Sequence, residues 1–192
     1  MNTESMDAAP QQQKKEQKKR SKLSYAVEFI IYIALILLCV FWVPEHVIQR
    51  TVVKGESMEE TLHEGESLLV NKLSFYEPSR YDIIVFYPQG EEVDEYYVKR
   101  IYGLPGETVQ ITGNDIYING EKIEDNYAKN AMDDSGIAEE PLTLADDEYF
   151  VLGDNREVSL DSRDPDVGPV KEKNIAGHVV LRIWPLSKFG KP

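Results

Sequence analysis

Between Tyr25 and Val43 the chain reads YAVEFIIYIALILLCVFWV, 19 residues with a single charge, Glu28, near the start. As a helix this run is about 28 Å long, close to the hydrocarbon thickness of about 30 Å. Tyr25 and Trp42 stand near its two ends, where amphipathic aromatics favour the membrane interface. The preceding QQQKKEQKKRSK carries six cations, and such flanks stay on the cytoplasmic side. Residues 1–22 have no apolar period and read as a disordered basic cytoplasmic tail. The expected plan is that tail, a transmembrane anchor over 23–43, and an extracytoplasmic domain over 44–192. A cleavable secretory signal has the same charge order, but the following PEHVIQR offers no small-x-small site. A buried soluble helix is the remaining alternative.

After Pro44 the period changes from a continuous apolar run to short alternating stretches. Ile48–Val53, Ser67–Leu73, Asp82–Tyr87 and Glu95–Gly103 are rich in β-branched and aromatic residues and predict strands. TVQIT and DIYINGEKI follow, and Asn119-Gly120 between alternating apolar residues predicts a type I′ hairpin. Glu124–Glu148 is acidic and patternless, and reads as a surface loop or insertion, beginning near 121. YFVLGDN and IAGHVVLRIWPL supply the last strands. Little outside the anchor has helical period, so the class is mainly β, an antiparallel β-sheet domain behind one N-terminal helix.

Residues 44–192 number 149, enough for one domain with a sizeable core. They carry 15 Lys and Arg against 30 Asp and Glu, a net charge of −15. That surface argues against nucleic acid as a partner and is repelled by anionic head groups. The single cysteine, Cys39, lies inside the apolar run, so neither disulfides nor a zinc cluster is available to the domain. No cofactor or metal is indicated. The DPDVG stretch, Asp164–Gly168, lacks the remaining ligands of a calcium loop and reads as a turn.

Three stretches carry candidate chemistry. In VVKGESMEETL, Ser57 follows Gly-Glu in a turn-like setting, either as a nucleophile or as a helix N-cap, with Glu60 completing a capping box. In EYYVKRIYGLPG, strand alternation puts Tyr97, Lys99 and Ile101 on one face and Val98 and Arg100 on the other. If the Lys99 face is the core side, burial lowers the lysine pKa by up to about 3–5 units. The neutral amine can then accept a serine proton. If not, Lys99 leans out as strand lysines often do. The third stretch, 151–170, packs Asp154, Arg156, Asp161, Arg163 and Asp164 beside Ser159 and Ser162. Arg–carboxylate pairs can brace such a loop, and Asp and Asn can equally form an ordinary polar turn. The chain has only His46, His63 and His178, and His63 in its polar loop reads as solvated.

Taken in order, GESMEETL, RYDIIVF (Arg80–Phe86), YYVKRIYGLPGE (Tyr96–Glu107) and GDNREVSLDSR (Gly153–Arg163) resemble type I signal peptidases, in the shorter form of Gram-positive-type bacteria. The motifs frame essentially the whole domain behind the anchor. The resemblance implies a serine endopeptidase with a Ser/Lys dyad, Ser57 as nucleophile and Lys99 as general base. It implies that Ser159 orients the lysine amine, that Asp161 and Arg163 brace its loop, and that Asp154 pairs with Arg100 on the outer face of the lysine strand. It implies an oxyanion donor in the Ser57 main-chain N–H. Some members add a serine hydroxyl two residues earlier, but that place is Gly55 here, so a second donor would have to be backbone. Specificity in the family is for small residues at the cut and two before it. The substrate lies extended along the strand before the serine, and the matching apolar pocket candidates are Thr51, Val53, Met58, Leu62, Tyr97 and Val98. One departure stands out: Glu60 occupies the place of a proline, which restores an N–H and loosens the turn.

The expected partners are therefore preprotein signal peptides emerging from the export machinery and the lipid bilayer. Thirteen residues separate Val43 from Ser57, which keeps the serine within about 48 Å of the end of the span. A specialised relative with narrow substrates, or a non-catalytic assembly chaperone of surface proteins, is the alternative. A self-cleaving repressor of related fold is disfavoured by the anchor and the lack of a DNA-binding segment.

Overall fold

In the computed structural model, residues 24–42, 46–73, 77–88 and 96–192 are described. The basic tail expected over 1–22 lies outside them. The chain divides into two units, Met1–His46 and Val47–Pro192. In the first, the helix Ser24–Trp42 is long and apolar enough to cross a membrane, and none of it is buried. Its last turns, Leu38–Trp42, are π-helical. The Trp42 ring stacks on His46, whose Nδ1 lies 3.1 Å from Trp42 O.

The second unit is built from strands β1 (Ile48–Val52), β2 (Ser67–Asn71), β3 (Ile83–Phe86), β4 (Tyr97–Gly103), β5 (Thr108–Thr112), β6 (Asp115–Ile118), β7 (Glu121–Lys122), β8 (Leu142–Thr143), β9 (Glu148–Leu152), β10 (Val170–Lys171) and β11 (Ile175–Trp184). A seven-stranded sheet runs β1-β2-β11-β3-β4-β9-β10, and a four-stranded sheet runs β7-β6-β5-β8. The strand pairs are antiparallel, in line with the class read from the alternating stretches. At the β6–β7 turn Asn119 and Gly120 take φ of 53° and 82°, the positive pair that a type I′ hairpin requires.

Three apolar clusters fill the unit. One packs Val109, Ile111, Ile116 and Ile118 of the small sheet against Tyr102, Phe150 and Leu152 of the large one. A second holds Val53, Met58, Leu62, Leu68, Val70, Ile83 and Val85. The third, with Ile84, Phe86, Ile101, Tyr149 and Val151, sits on the opposite face of β3, β4 and β9. β4 is therefore covered on both sides, and Lys99 and Arg100 are only 4% and 2% exposed. The face of β4 that carries Arg100, the outer face in the arrangement the resemblance implies, is covered by packed side chains too.

The acidic segment lies mostly at the surface and is anchored in the core at three points. Met132, Ala138 and Leu144 enter the first cluster, and the segment contains the 3₁₀ turn Gly136–Ala138 and strand β8. Most of its acidic residues are exposed while Met132, Ala138 and Leu144 are buried, so composition alone hides the packing.

Gly103 ends β4 where its pairing with β9 shifts register. A Cβ there would fall 2.6 Å from Val109 Cγ2, 2.8 Å from Leu144 Cδ1 and 2.9 Å from Phe150 Cβ. All three neighbours belong to the core between the sheets, where an added methyl cannot be accommodated cheaply. Gly103→Ala is expected to cost at least about 2 kcal/mol of unfolding free energy, measured by chemical denaturation.

Candidate active site

β1 delivers the chain to a tight loop, Val53–Gly65, closed by Val53 N–H donating to Glu66 O (2.9 Å) and Gly65 N–H donating to Val53 O (2.9 Å). Met58 and Leu62 are buried beneath it, and Leu62 N–H donates to Met58 O at 2.8 Å. Residues 57–62 are turns rather than a helix, so the capping-box alternative for Ser57 and Glu60 is not realised. Glu60 is exposed, and the turn that carries it is closed without the proline.

Lys99 sits mid-strand in β4, opposite Ile84, in register with Phe86 opposite Tyr97. Its Nζ lies over the Tyr97 ring, 5.4 Å from the centroid, and 2.6 Å from Ser57 Oγ. Burial pushes the Lys99 amine down to about 8, while the charges of Asp161 and Asp154 pull the other way and that of Arg163 adds to the lowering. As an ammonium Lys99 donates to the serine oxygen; as an amine it can receive the hydroxyl proton.

The loop after β9 closes over this pair. Asp154 accepts from Arg100 Nε (2.9 Å) and Nη2 (2.7 Å). Asp161 accepts from Gly153 N–H (3.0 Å) and from Arg163 Nε (2.9 Å). Arg163 also donates to Arg156 O at 2.8 Å. The carboxylates expected to brace the loop thus meet the arginines expected of them. Ser159 differs. Its Oγ is buried without a hydrogen-bond partner, so the expected hydroxyl–amine bond to Lys99 is not formed. That hydroxyl packs against Gly153 instead, where an added Cβ would fall 2.2 Å from it and 2.5 Å from Ser57 O.

Ser57 and Lys99 open onto a cleft of about 430 Å³. Val53, Met58, Tyr97 and Val98 line it, as do Val52, Gly55, Glu56, Tyr96, Val158 and Leu160. Thr51 and Leu62 do not. Thr51 is 3% exposed and pairs with Leu68, and Leu62 is fully buried. The alternation of β1 turns Thr51 inward and leaves Val52, 38% exposed, on the cleft side. Val158 and Leu160 are 56% and 42% exposed; two apolar residues flanking Ser159 in an otherwise polar run were the available signal for a binding wall. Among the described residues, no group of three or more His, Cys, Asp or Glu is placed to hold a metal ion. His63 lies 3.8 Å from Glu59 and is absent from the cleft lining.

A family model described as "Signal peptidase, peptidase S26" matches residues 26–184. The chain belongs to the signal peptidase I family. It is 35% identical over 181 residues to signal peptidase I P of Bacillus subtilis subsp. natto, covering 90% of this chain and 96% of the relative. It is 37% identical over 188 residues to signal peptidase I S of Bacillus subtilis strain 168, covering 91% and 95%. Signal peptidase IB of Staphylococcus aureus strain Mu50 is 32% identical over 180 residues, covering 85% and 92%. A crystal structure of a signal peptidase I from Enterococcus faecalis V583 aligns with a TM-score of 0.42 and 34% identity, over 54% of this chain and 97% of that one.

The depressed Lys99 pKa fixes a sign. Below about 8 the amine is charged in both the folded and unfolded states, so the burial cost is fully present; between about 8 and 10.5 only the unfolded chain holds the proton, and stability rises with pH. Lys99→Met is expected to stabilise the fold at neutral pH by about 3 kcal/mol. The gain should shrink through that window when denaturation is followed from pH 7 to 10.5.

Proposed function

We propose that the protein is a membrane-anchored serine endopeptidase that removes signal peptides from exported preproteins, cutting after small residues in Ala-x-Ala-type sites. The observation that carries the reading is the 2.6 Å approach of Ser57 Oγ to a lysine amine that is 4% exposed. The basic tail stays in the cytoplasm, residues 23–43 span the bilayer, and the β domain works on the far side. The substrates are preproteins presented by the export machinery at the membrane surface. Nucleic acid is not among the partners.

The neutral Lys99 amine takes the Ser57 hydroxyl proton as Oγ bonds to the scissile carbonyl carbon. The carbonyl electron pair moves onto oxygen, where the Ser57 main-chain N–H stabilises it. Collapse of this intermediate breaks the C–N bond, and the Lys99 ammonium returns its proton to the departing amine of the mature protein. Water then attacks the serine ester with Lys99 again as base. This step releases the signal-peptide carboxylate and restores the hydroxyl. The substrate lies extended beside β1, and its small side chains fit the shallow walls made by Val52, Val53, Met58, Tyr97, Val98 and Leu160. Medium-sized apolar walls leave room for alanine and refuse larger groups.

In detergent, with a preprotein bearing an Ala-x-Ala site, Ser57→Ala and Lys99→Ala are each expected to lower cleavage by at least about 10³-fold. Lys99→Arg does not rescue, because a guanidinium stays charged. In the unsubstituted enzyme kcat/KM climbs about tenfold per pH unit and levels off above about 8, as the amine loses its proton. Near-normal turnover in Lys99→Ala combined with its loss in His63→Ala would show that the base has been misassigned.

A further inference from the structure

Of all the contacts around the serine, the most informative join its main chain to a segment far away in sequence. Asn155, 4% exposed, donates from Nδ2 to Glu56 O (3.1 Å) and from its own main-chain N–H to Ser57 O (3.0 Å). Glu56 O also accepts from Glu59 N–H at 3.1 Å. The Glu56–Ser57 peptide is trans, so its N–H points opposite to its C=O within one rigid plane. Whatever holds the Glu56 oxygen therefore sets the direction of the Ser57 N–H.

The Asn155 amide is itself held. Its Oδ1 accepts from Asn130 Nδ2 at 3.0 Å. Asn130 Nδ2 also donates to Glu157 Oε2 (2.9 Å), and Asn130 Oδ1 accepts from Glu157 N–H (3.3 Å). With the Asn130 amide locked on both sides, a flipped Asn155 would face NH₂ against NH₂ at Asn130 and oxygen against oxygen at Glu56. Asn130 belongs to the acidic segment, outside every stretch that carried chemistry in the sequence.

We infer that Asn130, acting through Asn155, aims the Ser57 main-chain N–H at the developing oxyanion, so that both are positioning residues for the cleavage step. The inference rests on the proposed roles of Ser57 and its N–H. Neither asparagine touches the reacting atoms. Their contribution lies in donor direction, which matters most when charge is on the substrate oxygen. Lys129 N–H donates to Asp154 O at 2.8 Å and ties the segment to the loop without the Asn130 side chain. Substitution of Asn130 therefore leaves the scaffold in place.

The test uses the full chain in detergent, with Asn130→Ala and the isosteric Asn130→Asp, which cannot donate to Asn155. Three ligands of one sequence are compared: a peptide spanning an Ala-x-Ala site, the C-terminal aldehyde of its first half, and the matching C-terminal alcohol. The aldehyde carbon takes the Ser57 oxygen and its carbonyl oxygen occupies the oxyanion position, whereas the alcohol has no carbonyl to polarise. Both variants are expected to lose about tenfold in kcat/KM and about tenfold in aldehyde affinity, a fraction of the effect of deleting an oxyanion donor. Alcohol affinity and the ascending limb of the pH profile stay as in the unsubstituted enzyme.

Unchanged kcat/KM and aldehyde affinity in both variants overturn the inference. Equal losses for aldehyde and alcohol overturn it as well, since they mean a deformed cleft, and so does loss of the cooperative melt in both variants, which makes Asn130 structural. Ser57→Ala and Lys99→Ala separate the two levels. If these abolish cleavage while the Asn130 variants are normal, only the inference falls. If they leave cleavage intact, the reading beneath it falls.

Discussion

An amine held out of water beside a hydroxyl is the constraint on which the site depends. Lys99 is 4% exposed, and desolvation alone would drive its pKa far down. Two carboxylates close enough to act on it, Asp161 and Asp154, oppose that. If either were free to face Lys99, the pair would hold it as an ammonium and no proton could be accepted. Each carboxylate is instead occupied by an arginine, Asp154 by Arg100 and Asp161 by Arg163. Arg163 thus does more than brace the loop: its charge adds to the lowering of the Lys99 pKa against the pull of Asp161 and Asp154.

Much of the scaffold was legible because β-sheets write their parity into sequence. The branched and aromatic content of DIIVFY and YYVKRIYG predicts β3 and β4, and pairing puts Lys99 on the face of Ile84, Phe86 and Tyr97. Parity could not say how many layers would cover the sheet. Arg100 is buried against Asp154 and under the Tyr127 ring, 3.7 Å from its centroid, and Tyr127 comes from the acidic segment. Parity also misplaced one pocket residue, Thr51. Period two separates Thr51 from Val52, but which of them faces the cleft follows from the pairing of β1 with β2, a long-range fact.

The acidic segment was illegible for a different reason. Its contacts with β4 and with the loop after β9 include single hydrogen bonds and ion pairs, which leave no periodic trace. Asp125 pairs with Arg156 at 2.6 Å and accepts from Tyr102 OH at 2.6 Å. Arg163 donates to Asp134 O at 3.2 Å, and Ile137 N–H donates to Arg163 O at 3.0 Å. Gly136, with φ +55°, lies so near Arg163 that an added Cβ would fall 2.1 Å from its carbonyl oxygen. Read as composition, these residues are a solvated acidic loop. Read as partners, they pair with the buried arginines that the loop after β9 brings inward.

Gly153 shows how the Ser57 loop and the loop after β9 interlock so closely. Its missing side chain lets Ser57 O and Ser159 Oγ approach where any Cβ would stand within 2.5 Å of both. With the loops that near, short rigid links suffice: Asn155 to Glu56 and Ser57, and Gly153 N–H to Asp161. Long side chains would reach the same partners only by ordering several torsions each, at an entropic cost for every one. Main-chain and amide hydrogen bonds are therefore the economical means of holding Ser57 within reach of Lys99, while burial lowers the hold of that lysine on its proton.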